Sequence, residues 1–108
     1  PERWVLTRGA APDGWRALPS PEAIGAMEGV QYLFIEGGAV TATAFLAAGL
    51  VDRLLLYRAP ILVGGRPALG DYGLARLADA HGRWSLTERR RLGSDTLEVY
   101  ESSLCSPE

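Results

Sequence analysis

Apolar residues in this chain fall into short runs separated by glycine, proline and charge, and the period of those runs changes along the sequence. Trp4-Val5-Leu6-Thr7, stopped by Arg8-Gly9 and the loop Ala10-Ala11-Pro12-Asp13-Gly14, predicts a strand, and Trp15 to Leu18 is a second candidate. Ser20-Pro21-Glu22 has the N-cap and first-turn chemistry of a helix, predicted through Ile24 and Met27 to about Glu28, with Gly29 as its stop. Gln31 to Ile35 is a continuous run of aromatic and branched residues, the pattern of a strand covered on both faces, and predicts a central strand of a parallel sheet.

From Ala39 to Ala48 the spacing fits a helical period better than alternation, and Gly49 marks the end. Arg53 to Ala59 predicts the next strand, Pro60 an edge or bend before Ile61-Leu62-Val63, and Gly64-Gly65-Arg66-Pro67 a loop. Ala75 to Ala80 is read as a helical turn or two. Trp84 to Leu92 and Thr96 to Glu101, flanking Gly93-Ser94-Asp95, have the composition of an antiparallel hairpin, and the polar tail from Ser102 to Glu108 is expected to fray. Strands alternating with helices, then a hairpin, predict an α/β fold: a mixed sheet flanked by helices, with a C-terminal antiparallel hairpin.

Composition narrows the partners. A chain of 108 residues has room for one domain, and 47% hydrophobic with 22% charged residues excludes a disordered chain. A net charge of -2 with scattered arginines gives no electrostatic footprint for nucleic acid. Cys105 and His81 are the only residues of their kinds, so neither an intrachain disulfide nor a Cys/His zinc site can be built, and a reducing cytoplasm is expected. The longest uncharged run, Gly37 to Val51, is shorter than the ~20 residues that span a bilayer. The N-terminus lacks the pattern of a signal peptide, and Pro1 is not a natural initiator, so the chain is expected to be a fragment.

The chemistry concentrates at Glu36-Gly37-Gly38. An acid and two glycines between a predicted strand and a predicted uncharged helix put free helix N–H groups where open α/β sheets gather ligands, and a phosphate can be held there. Glu36 is the first candidate, as an acceptor for substrate hydroxyl or amide groups. Capping the helix or pairing with an arginine are its alternatives, and spacing does not choose among them. Thr41 and Thr43 add hydroxyls in the first turns. The chain contains no lysine, which excludes a Walker-type phosphate loop, and no full G-x-G-x-x-G is present. Phe45, Leu46 and Leu50 are core candidates, Asp52 reads as a turn residue, His81 as solvated, and Arg89-Arg90-Arg91 as an exposed edge that discourages strand pairing.

The order Phe34-Ile35-Glu36-Gly37-Gly38-Ala39, Ala44-Phe45-Leu46, Ala48-Gly49-Leu50-Val51-Asp52, Leu56-Tyr57, Ala59-Pro60 and Gly64-Gly65 resembles the reductase domain of RibD-type riboflavin biosynthesis proteins. The likeness runs on through Gly73-Leu74, Leu77-Ala78-Asp79 and the hairpin. It implies a dihydrofolate-reductase-like fold, of which residues 1–108 would be the C-terminal portion. It also implies NADPH-dependent reduction of the ribose of 5-amino-6-(5-phosphoribosylamino)uracil to the ribityl form. Carried onto matching positions, Glu36 becomes the substrate-binding acid, and Gly38, Ala39, Val40, Thr41, Ala42, Thr43 and Ala44 the cofactor-binding turn and helix start. No catalytic nucleophile or metal ligand is implied. Arg53 stands where the family usually has a second acid, and the family domain is about twice this length, so contacts to pyrimidine and phosphate are expected elsewhere. Arg8 is a candidate for selecting the NADPH 2′-phosphate. The expected partners are a phosphoribosylaminopyrimidine and a second copy in a homodimer. The competing readings are a related reductase of another pterin or pyrimidine, and a catalytically silent dimerisation module.

Overall fold

The computed structural model describes residues 2–103, so Cys105 and the part of the predicted frayed tail beyond Ser103 lie outside the described residues, whereas Ser102 and Ser103 are not frayed and donate to the Asp52 and Arg83 carbonyls. The chain divides into two compact units, residues 1–50 with 68–70, and residues 51–67 with 71–108.

In the first unit, β1 (Trp4–Leu6) pairs in parallel with β2 (Arg16–Leu18), in the register Trp4 to Arg16 and Leu6 to Leu18. Both strands fall where the apolar runs predict them. Between them the chain turns at Asp13-Gly14, where Gly14 has φ +82 and the Trp15 N–H donates to the Pro12 carbonyl (3.0 Å). Both tryptophans of this unit have cation partners: the Arg3 guanidinium lies 6.0 Å from the ring centre of exposed Trp15, and the Arg16 guanidinium lies 4.7 Å from that of half-buried Trp4 while also pairing with Glu2 (3.2 Å). Residues Pro21–Ala26 are helical but wound as a 3-10 helix that ends before Glu28, and Ser20 makes no side-chain cap. α1 (Ala39–Ala47) is the α-helix of this unit, with Phe45 buried in the core beside Leu18 in rank of burial. Leu46 and Leu50 are half-buried.

One expectation fails. Gln31 to Ile35 is not a strand: residues 32–38 are irregular, and Tyr32 and Phe34 are 92% and 68% exposed. Apolar sequence supplies the faces of a strand, but its N–H and C=O groups need a neighbour, and β1 and β2 take theirs from each other. The parallel sheet centred on this run is therefore absent among the described residues.

The second unit is a three-stranded antiparallel sheet in the order β3 (Arg53–Arg58), β5 (Asp95–Ser102), β4 (Trp84–Leu92). β5 is central, and its Leu97 and Val99 form the buried core, alternating with half-buried Thr96, Glu98 and Tyr100 as the pleat requires. The hairpin closes at Gly93-Ser94, and positive φ at Gly93 alone (+65) is the pattern of a type II′ turn. A bulge between Leu86 and Glu88 moves these two side chains to opposite faces, and Thr87 Oγ1 donates to the Val99 carbonyl (3.2 Å). Arg53 faces its register partner Glu101 at 2.6 Å, so the unexpected cation after Asp52 completes a cross-strand ion pair. Asp52 is an exposed turn residue whose carbonyl accepts from the Ser102 N–H. Leu77–Ala80 is a 3-10 turn within the predicted 75–80 segment, and residues 61–70 are irregular and exposed.

Candidate functional site

The two ends of α1 are built differently. At the C-terminal end, Gly49 (φ +71) donates to the Leu46 carbonyl and the Leu50 N–H to the Phe45 carbonyl, the paired bonds of a Schellman motif. At the N-terminal end Gly38 is the N-cap, with extended backbone (φ -76, ψ -179), no side-chain cap and no acid in the first turn. The first intrahelical bond runs from the Ala42 N–H to the Gly38 carbonyl (3.2 Å), which leaves the N–H groups of Ala39, Val40 and Thr41 without a helical partner. They carry the positive end of the helix dipole.

The two glycines before the helix do different things. A Cβ at Gly37 would come within 3.3 Å of the Thr41 Cβ, so glycine there lets the turn pack against the first helical turn. A Cβ at Gly38 would meet nothing within 4 Å, and its φ is one that any residue adopts. Nothing in the protein around Gly38 demands glycine. The absence of a side chain there leaves room for an anion to approach the free N–H groups.

A cleft of about 930 Å³ within the first unit is lined among others by Trp4 and Leu18 of the strands, Phe34 and Glu36 of the 27–36 segment, and Thr41 and Phe45 of α1, whereas Gly38, Ala39 and Val40 are not among its lining residues. That volume suits a small-molecule site with apolar walls and few polar groups. Glu36 is exposed on it and makes no hydrogen bond or ion pair among the described residues, so neither helix capping nor an arginine partner is realised. Its carboxylate is available as an acceptor. Arg3 lines the cleft, whereas Arg8, the expected phosphate selector, is exposed in the loop after β1 and is not among the lining residues.

The predicted cofactor segment, Gly38 to Ala44, is thus the N-cap and first turns of α1, but its two threonines are separated. Thr41 and Phe45, four residues apart, share the cleft face. Thr43 is rotated from Thr41 by about 200° at 3.6 residues per turn. Its Oγ1 accepts the Gly70 N–H at 2.8 Å and holds the tripeptide 68–70 in the first unit. Sequence reasoning missed this contact, since nothing in a threonine and a glycine so far apart signals that they meet.

The polar cluster of the second unit is structural by comparison. Tyr100 donates from its hydroxyl to Glu98 Oε1 (2.7 Å), and Arg89 pairs with Glu98 Oε2 (3.1 Å). The Tyr100 hydrogen bond, working against partial desolvation and aided by Arg89, holds the Glu98 carboxyl below its ordinary value of 4.5. The same bond is the main cause that raises the Tyr100 phenol above 10.0. Arg90 pairs with Glu88 on the edge strand, and Arg89, Arg90 and Arg91 are all exposed. His81 is exposed after the 3-10 turn. Among the described residues no group of three His, Cys, Asp or Glu could hold a metal ion, and no helix is long and apolar enough to cross a membrane.

Comparison with known proteins defines the class first. The fold matches the solved structure of Acinetobacter baumannii RibD, form 2, with a TM-score of 0.63 over 95% of this chain and 38% of that one, at 22% identity. This is a dihydrofolate-reductase-like α/β fold, present here as an incomplete domain. The family described as RibD C-terminal domain matches residues 22–97, more than half of the sequence, and the chain belongs to that family. Riboflavin biosynthesis protein RibD of Mycobacterium tuberculosis is 36% identical over 98 residues, covering 90% of this chain and 29% of the relative. The 2,5-diamino-6-ribosylamino-4(3H)-pyrimidinone 5′-phosphate reductase of Methanothermobacter thermautotrophicus is 36% identical over 75 residues, covering 67% of this chain and 34% of the relative. The chain therefore spans about a third of the curated relatives it matches.

Proposed function

We propose that this chain is the cofactor-binding part of an NADPH-dependent reductase that converts 5-amino-6-(5-phosphoribosylamino)uracil to its ribitylamino product in riboflavin biosynthesis. The observation that carries the reading is Gly38: a glycine with open space around it, at a helix start without a side-chain cap and between two cleft-lining residues, Glu36 and Thr41, in a member of the RibD C-terminal domain family. The free N–H groups of Ala39, Val40 and Thr41 suit a cofactor phosphate, and the clearance at Gly38 suits its close approach. When bound, the nicotinamide supplies a hydride to the sugar carbon. The work of the chain is orientation: the helix start holds the phosphates, and the unpaired Glu36 carboxylate accepts hydrogen bonds from the substrate. Cytoplasmic location belongs to the same reading. A homodimer does as well, supported by the exposed run Ile61-Leu62-Val63.

The name of the archaeal relative favours a second substrate, the diaminopyrimidinone phosphate that still carries its 2-amino group. Turnover of both pyrimidine phosphates by the full-length protein with NADPH, followed by loss of nicotinamide absorbance, decides between them. The expected result is faster reduction of the aminouracil. Preference for the diaminopyrimidinone supports the second substrate, and absence of turnover on either contradicts the reductase reading.

A further inference from the structure

We propose that Gln31 to Ile35 is the docking site for an extended segment of the same polypeptide lying outside residues 1–108, which pairs with the run along its backbone and fills the apolar part of the cleft. The proposal does not depend on the cofactor reading. Exposure alternates along the run, from Tyr32 at 92% through Leu33 at 37% to Phe34 at 68% and half-buried Ile35, which is the period of a strand with one face covered and the other bare. The backbone is bare as well: among the described residues, no N–H or C=O of residues 31–36 takes part in a hydrogen bond. Across the cleft, β1 contributes Trp4 and Leu6 to the lining and pairs with β2 alone. Two parallel strands of three residues each fall short of the larger, covered sheets in which parallel strands occur.

The length of the relatives identifies the occupant. The domain is incomplete here, and 95% of this chain matches 38% of the solved Acinetobacter baumannii RibD chain. Most of such a polypeptide lies beyond the matched region, and a segment tethered to the same chain meets the run at high effective concentration. Main-chain pairing supplies the affinity, and apolar side chains at alternate positions of the incoming segment cover Tyr32 and Phe34. Glu36 and Thr41 follow the carboxyl end of the run, the end at which open sheets hold ligands, so filling the apolar part of the cleft leaves the candidate ligand positions free.

The test uses the full-length protein. Amide exchange at residues 32–35 should be at least about 1,000-fold slower than in an unstructured peptide, the level of core strands, with or without NADPH and at any protein concentration. Phe34→p-benzoylphenylalanine, irradiated in the same protein, should cross-link to a peptide of its own chain from outside residues 1–108. Amides that exchange at the unstructured rate overturn the proposal. So does protection that appears only with NADPH, which would make a ligand the occupant of the cleft, or that falls on dilution, which would make it a second copy. A cross-link confined to residues 1–108 also overturns it, because the run would then have closed on its own unit. Tyr32 offers a second position for the same label if the Phe34 variant does not fold, and unprotected amides in the parent protein overturn the proposal whatever either variant does.

Discussion

The two ends of α1 are made of the same kind of sequence, small uncharged residues beside glycine, yet they are finished in opposite ways. Gly49 and Leu50 satisfy the last carbonyls, and Gly49 is glycine because its backbone is left-handed. Gly38 satisfies no helix N–H with a side chain, has ordinary backbone angles and faces open space. The first glycine is explained entirely by the fold. The second is required neither by its backbone angles nor by a close neighbour, although glycine is an acceptable N-cap, and it lies between Glu36 and Thr41, which line the cleft, next to three N–H groups without a helical partner. Water or a ligand anion can complete such a helix end, and the proposed function assigns it the anion.

The largest expected effect falls at the incomplete end. Glu36→Gln should lower kcat/KM for the pyrimidine substrate roughly 10- to 100-fold, the cost of replacing a charge-assisted hydrogen bond by a neutral one, while the NADPH dissociation constant changes little. Equal losses in both would mean that the carboxylate organises the turn and does not face substrate. The completed end should respond in stability instead. Gly49→Ala forces a side chain into left-handed backbone and should cost about 1 kcal/mol in denaturant unfolding with NADPH affinity kept, and a comparable loss of affinity would erase the contrast.

The smallest effect lies outside the helix and serves as its control. The folded-state lowering of Glu98 gives the sheet a stabilising contribution that is present above the carboxyl's ordinary 4.5 and lost as pH falls through the lower folded value. The raised phenol of Tyr100 contributes below 10.0 and is lost as pH rises through the higher folded value. Tyr100→Phe should therefore flatten the alkaline limb of stability against pH and weaken the acid limb, with no change in NADPH binding. A pH profile identical to that of the parent protein would show that this hydrogen bond does not matter in solution.

Local chemistry made part of this molecule legible in advance. Gly49 ends its helix and Gly93-Ser94 turns its hairpin because each feature depends on a few neighbouring residues. The second arm of the hairpin was legible from its composition beside that turn, and the helical period from Ala39 onward marked the helix. Gln31 to Ile35 was misread because its period describes side chains, whereas strand formation depends on a distant partner for its backbone. Ser20 looked like a cap, yet the 3-10 winding after it takes the Ala23 N–H to the Ser20 carbonyl and makes no use of the hydroxyl. The same limit applies to the site. Glu36 and Gly38 were visible as neighbours in sequence, but the separation of Thr41 from Thr43 emerged only from what each helix face meets.

The most direct measurement is Gly38→Asp in the full-length protein, with unfolding free energy and NADPH affinity determined on the same sample. Aspartate is a better N-cap than glycine, and its charge suits the helix dipole, so stability should rise by about 0.5 kcal/mol. The same carboxylate would occupy the N–H groups and repel the phosphate, so NADPH affinity should fall by at least about 100-fold. Opposite signs in the two quantities are what the account predicts. A stabilised variant that binds NADPH as tightly as the parent protein would contradict it, since the bare end of α1 would then have no cofactor to complete it.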